Sequence, residues 1–205
     1  MKRSGLKKRG MQTRKRFPVI FIVCEGEETE PKYFSHFNKR YSGAKVRIKT
    51  SPYKNAEKLV KNAETIIGKN IYAPEDGDTM WCVFDCDANT DEALRSAFAF
   101  AKKHGYKIIF SNPCFELWFL LHYIDQNGYL KDCDAVLKKL TNKDKLPDYH
   151  KNTDVYQILL PMQNKAIMRA SNRYILLKKR NKQFLSRSSN PATNVFSIVE
   201  YLNQI

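Results

Sequence analysis

The chain has no run of about 18 apolar residues, the length a helix needs to cross a bilayer, so no membrane span is expected. It lacks GxGxxG and GxxxxGKS/T, so nucleotide hydrolysis by this chain is not indicated. GxSxG and HExxH are missing too, which removes the serine-hydrolase elbow and the zinc-protease helix. Cysteine is sparse: Cys24, Cys82, Cys86, Cys114 and Cys133 make an odd count of five without a CxxC pair. Cys24 and Cys82 sit in apolar runs, as reduced core thiols do. Neither a disulfide scaffold nor a structural zinc site is therefore expected, and a reduced, cytoplasmic protein is. The basic stretch Lys2 to Arg16 is followed by a strand-length apolar run and not by a long h-region, so a signal peptide is not expected.

Acidic residues are scarce at both ends. Residues 1–16 hold eight Lys/Arg and no acid, and residues 155–205 hold eight Lys/Arg against Glu200 alone. The middle carries 20 of each sign, so the whole net charge of +15 sits at the ends. A neutral body with cationic ends suits a polyanion, most often nucleic acid. A solubilising tail with a solvated helix face would give the same counts. Around residues 160–182, Lys165, Arg169 and Arg173 repeat every four positions and share one helix face. Lys178, Lys179 and Arg180 continue the charge, in an arrangement that can track a phosphate backbone.

At 205 residues the chain fits one domain with an extension. The first sixteen residues read as a basic flexible arm. Residues 17–123 alternate strand-like and helix-like stretches, and residues 124–205 read as helix only. The strands are the apolar runs near 17–24, 46–50, 80–84 and 106–110. The first and third are nearly continuous in apolar residues, as strands buried on both faces are. Thr29-Glu30-Pro31 reads as a helix start with Thr29 as N-cap. Tyr33, Phe34, Phe37 and Tyr41 form the stripe of that helix. The order predicts an α/β, doubly wound, mostly parallel four-stranded sheet with a C-terminal helical extension packed on it.

Glu25 ends the first strand, and Asp85 and Asp87 end the third. Ligands in open parallel sheets bind outside the carboxyl ends of strands. If the two strands are neighbours, the three carboxylates converge and need a cation. Hard oxygen ligands suit Mg²⁺. Taken singly, DxD and Glu-Gly also serve as ordinary turns and caps. Glu28 and Glu30 read as helix-dipole acids. Glu116 lies in the apolar segment Phe115 to Leu121. Either a role at the metal or a salt bridge at a helix N-terminus would explain it. His122 reads as structural, Asn112 as a turn residue before Pro113, and Asp91 and Glu92 as dipole acids.

A strand ending in Glu-Gly, followed by one ending in Asp-x-Asp, resembles the Toprim pattern. More specifically, Cys24-Glu25-Gly26-Glu27-Glu28-Thr29-Glu30-Pro31-Lys32-Tyr33-Phe34 resembles the opening motif of RloB-like proteins. Asp85-Cys86-Asp87 is similar to their middle motif. Ser111-Asn112-Pro113-Cys114-Phe115-Glu116-Leu117-Trp118 and the residues to His122 resemble the third. Asn190-Pro191-Ala192-Thr193-Asn194-Val195 resembles the closing one. The resemblance implies a Toprim-like fold and a place in prokaryotic anti-phage defence of the abortive-infection kind. A AAA/ABC-type ATPase partner is implied with it. It further implies a Mg²⁺-dependent (or Mn²⁺-dependent) nuclease acting on DNA or RNA, with Glu25 as general acid/base and Asp85 and Asp87 as metal ligands. A non-catalytic nucleic-acid-binding or sensor subunit is the alternative. The sequence leaves open whether the chain forms a homo-oligomer.

Overall fold

A computed structural model describes residues 16–38, 43–180 and 182–205. The arm up to residue 15, and Tyr41, lie outside the described residues. Arg16 is the exception within the arm. It pairs with Asp76 and Asp78 at the start of the sheet.

Five strands form one sheet: β1 (Val19–Cys24), β2 (Lys45–Thr50), β3 (Thr79–Asp85), β4 (Lys107–Asn112) and β5 (Ala192–Thr193), in the order β2-β1-β3-β4-β5. The first four run parallel, and β5 pairs antiparallel with β4. The expected four-stranded sheet is thus corrected to five. A two-residue strand after Pro191 is too short for a period-two pattern to register.

Continuous apolar runs bury both faces of the sheet. On β1, Ile20, Ile22 and Cys24 join one core, and Val19, Phe21 and Val23 join the other. On β3, Trp81 and Val83 alternate with Met80, Cys82 and Phe84 in the same way. The second core is covered by α2 (Ala56–Lys61), α3 (Ala63–Ile67) and α4 (Asp91–His104). α2 and α3 follow each other as one helix-like stretch would. It breaks at Asn62, whose side chain donates to the Lys58 carbonyl (2.8 Å) and competes with the helical ladder.

The first core is covered by α1 (Thr29–Ser35), α5 (Glu116–Tyr123), α6 (Cys133–Leu140), α7 (Tyr156–Leu159), α8 (Gln163–Lys179) and α9 (Val195–Asn203). In α5 every residue except Tyr123 is buried, so it is the central helix of this layer. Helices on both faces of a mostly parallel sheet make the α/β, doubly wound class. Among the described residues no helix is long and apolar enough to cross a membrane.

The cysteines require a second correction. Cys114 and Cys133 are joined as a disulfide, with Cα atoms 5.5 Å apart, whereas Cys24, Cys82 and Cys86 are free and buried. Their separation of 19 residues is closed by packing of α5 on α6, which no local spacing announces.

Asp78 pins the start of β1. Its carboxylate accepts from the Val19 N–H (2.8 Å), from the Ala73 N–H (3.1 Å) and from Arg16. Burial works to raise its pKa, but these donors prevail and hold it below the ordinary value. Asp78→Ala strands those donors and is expected to cost about 2 kcal/mol in urea unfolding. A loss under about 0.5 kcal/mol, the range of an ordinary surface exchange, would contradict this role.

Candidate active site

β1 and β3 are adjacent and parallel, with Cys24 opposite Val83, so their carboxyl ends open at one edge of the sheet. From β1 the chain crosses to β2 on one side and returns to β3 on the other. α1 leaves toward one face and α4 toward the opposite one. That is a topological switch point, where a crevice forms outside the strand ends. A cleft of about 530 Å³ lies there, lined by Glu25, Glu30, Asp85, Asp87, Glu116, Lys54 and Lys151 among others.

Glu25 is 9% exposed, and its Oε2 accepts from the Asp85 N–H at 3.1 Å. Burial pushes its carboxyl up to about 7, and Asp87 and Glu30 add to the rise against the Asp85 N–H bond and Lys54. Asp85 Oδ1 is buried with no hydrogen-bond partner. Burial first, then the charges of Glu30, Glu116, Glu25 and Asp87, hold the Asp85 carboxyl well above the ordinary range. Asp87 is exposed, and its Oδ1 accepts from the Ala88 N–H (2.8 Å). Glu116 is 3% exposed and forms no ion pair among the described residues; Oε1 accepts from the Tyr149 hydroxyl (3.1 Å). Glu116 is thus held by hydroxyl donors at the edge of the cleft and not by a salt bridge.

Glu30 was missed. It is 5% exposed, its Oε1 accepts from the Gly26 N–H (3.2 Å), and burial followed by the Glu116 charge raises its pKa. The signal was present: Glu30 shares the stripe of Tyr33, Phe34 and Phe37 at i, i+3, i+4 and i+7, which points inward. A dipole acid would point out. Thr29 is likewise corrected. It lies inside α1 without a capping bond, and its hydroxyl sits 3.2 Å from the Lys151 carbonyl and 3.5 Å from Glu116 Oε1. Lys151 and Lys54 flank the cleft; Lys54 Nζ donates to the Glu25 carbonyl (2.9 Å) and pairs with Glu27 (3.6 Å).

The carboxylates share the cleft without closing into a cage. Among the described residues, the group of metal-ligating atoms that closes within 4.8 Å is Cys114, Glu116 and Cys133. Glu25, Glu30 and Asp87 are instead held on backbone N–H groups.

Other side chains have plainer duties. Cys86, between the two aspartates, is pushed up to about 12 by burial and is no nucleophile at neutral pH. His122 is lowered to about 4 by burial and bonds the Trp118 carbonyl through Nδ1, as a neutral structural residue does. Asn112 donates to the Ser186 and Arg187 carbonyls and accepts from Asn190 Nδ2 (3.1 Å), which laces the third motif to the closing one. Asp91 goes beyond its expected dipole role by accepting from the Arg187 N–H (2.9 Å).

Of the basic residues singled out on α8, Arg169 donates to the Leu121 and His122 carbonyls (2.7 and 3.0 Å). Arg173 donates to the Pro191 and Asn190 carbonyls (2.9 and 3.3 Å). These two arginines clasp the fold, and the small cleft they line also contains Asp125. Lys165, Lys178, Lys179 and Arg180 are exposed.

The fold and the cleft define an α/β protein with an acidic crevice at a sheet switch point. The RloB-like protein family model matches residues 20–202, and the chain belongs to that family. No curated protein and no solved structure matches it.

Proposed function

We propose that this protein is a Mg²⁺-dependent nuclease of Toprim type that hydrolyses phosphodiester bonds of DNA or RNA in prokaryotic anti-phage defence, together with an AAA/ABC-type ATPase. The observation that carries the reading is the acidic pit in a chain of net charge +15, with Asp85 Oδ1 buried and unpartnered at its floor. A phosphodiester cannot approach those carboxylates unless a cation offsets them. The donors are hard oxygens, which fit Mg²⁺ or Mn²⁺ and not a thiophilic ion.

Asp85 and Asp87 would hold the ion, with Glu25, Glu30 and Glu116 within the same cleft. When bound, such an ion supplies an activated water and charge stabilisation at the phosphoryl group. Glu25, held in the cleft by the Asp85 N–H, is placed to take a proton from the attacking water and return one to the leaving oxygen. Lys54 and Lys151 stand at the cleft to meet phosphate oxygens. Lys165, Lys178, Lys179 and Arg180 offer exposed charge to the backbone of the strand, while Arg169 and Arg173 position the helix that carries them.

The test is cleavage of DNA, RNA and tRNA in Mg²⁺, Mn²⁺ and EDTA, with and without the ATPase. Cleavage abolished by EDTA and by Glu25→Ala supports the reading. Salt-dependent binding with no cleavage under any of these conditions would favour the non-catalytic sensor.

Gly26→Ala supplies a second prediction. A Cβ at residue 26 would stand 2.0 Å from Glu30 Oε2, so the Glu30 carboxylate must leave its place. Mg²⁺ affinity by calorimetry is expected to fall about tenfold, as loss of a supporting group does. Unchanged affinity would remove Glu30 from the site.

A further inference from the structure

The tightest group of metal-ligating atoms lies beside the acid cleft and draws on sulfur. Cys114 Sγ, Cys133 Sγ and a Glu116 carboxylate oxygen lie within 4.8 Å of one another. Three neighbouring elements fix them. Cys114 stands two residues before Glu116, the first residue of α5, and Cys133 is the first residue of α6. The start of α6 is held by Asp132, which accepts from the Ala135 N–H (2.9 Å). Just upstream, Asn190 accepts from the Leu130 N–H (2.9 Å) and donates to its carbonyl (2.7 Å). Tyr149 occupies Glu116 Oε1, so Oε2 is left facing Cys133 Sγ at 3.5 Å. Cys114 and Glu116 are buried and Cys133 half-buried, so the group is screened from bulk water while remaining reachable.

We infer that the Cys114–Cys133 pair, once reduced, joins Glu116 in binding a thiophilic divalent cation such as Zn²⁺, at a sulfur site that shares Glu116 with the edge of the acid cleft. Two thiolates and a carboxylate are borderline-soft donors that Zn²⁺ accepts and Mg²⁺ rejects. Three protein ligands leave one tetrahedral position for water. The disulfide form has no thiolate to offer, so binding follows the redox state. A trialkylphosphine reduces the bridge: one phosphine and one water become a phosphine oxide, and the disulfide becomes two thiols. Binding of the cation then displaces both thiol protons. None of this requires the cleft to be a nuclease.

The test uses the full chain and Co²⁺ as a spectroscopic probe. Phosphine-reduced protein is expected to develop a thiolate-to-cobalt charge-transfer band in the near ultraviolet with stoichiometric Co²⁺. Added Zn²⁺ is expected to abolish that band. Oxidised protein should show none. The band should be lost in Cys133→Ser, weakened in Glu116→Gln and retained in Asp85→Asn, which leaves all three proposed ligands in place. Absence of the band in reduced wild type would overturn the inference. So would its persistence in Cys114→Ser/Cys133→Ser, because Cys24, Cys82 or Cys86 would then be the ligand. Should a variant fail to fold, the oxidised and reduced wild type still decide the matter.

Discussion

Asp85→Asn is expected to lower metal-dependent cleavage about a thousandfold, the several kcal/mol that a metal ligand supplies to the transition state. The same exchange is expected to raise the melting temperature of the metal-free protein. Both effects come from one atom. Asp85 Oδ1 is buried without a partner, and its carboxyl is held well above the ordinary range by burial and by the charges of Glu30, Glu116, Glu25 and Asp87. Asparagine keeps the shape and cannot ionise, so the cost of burying an ionisable carboxyl there goes, and the ligand goes with it. In a chain of 205 residues each kcal/mol regained shifts the melting temperature by about 2–4 °C. Paired assays of cleavage and thermal unfolding in EDTA check the prediction. A variant that melts lower than wild type and still cuts at full rate would contradict both halves.

Mg²⁺ is expected to stabilise the protein far more at about pH 8 than at about pH 5, the two sides of the carboxyl range. Glu25 is raised from 4.5 to about 7 by burial, with Asp87 and Glu30 contributing. The native state therefore binds this proton more tightly than the unfolded chain. Its contribution is fully present below about 4.5 and is lost as pH rises through about 7. The gap is worth on the order of 3 kcal/mol. A cation restores what the proton no longer supplies, so protons and metal compete for one place. Melting curves across this range, in Mg²⁺ and in EDTA, for wild type and Glu25→Gln, isolate the effect. A Mg²⁺ shift independent of pH, or identical in Glu25→Gln, would count against it.

The parallel sheet was legible because Phe21 to Val23 and Met80 to Phe84 are apolar without alternation, which only a strand buried on both faces requires. The convergence of Glu25 with Asp85 followed, since both stand at strand ends and the strands are neighbours. Glu30 was not read correctly because an acid beside a proline at a helix start has a local explanation in the helix dipole; the inward stripe of Tyr33 and Phe34 overrode it. Lys54 and Lys151 carry no local signal at all. They reach the cleft through loops whose course is set by tertiary packing. The same holds for Cys114 and Cys133, and for Arg169 and Arg173, whose donors meet carbonyls far away in the chain.

The edge strand β5 has a temporal consequence. Ser111 and Thr193, whose hydroxyls meet at 2.9 Å, are 82 residues apart, and Asn194 supplies bonds to the Phe110 N–H and the Ile108 carbonyl. At a synthesis rate of about 5–20 residues per second, the closing segment emerges roughly 4–16 s after the strand it completes. During that interval β4 has a bare edge and Asn112 has no Asn190 to hold it. A ribosome-bound chain thus carries the strands of the acid pocket before it carries the brace for them, and the sheet stays incomplete until the segment around β5 has docked.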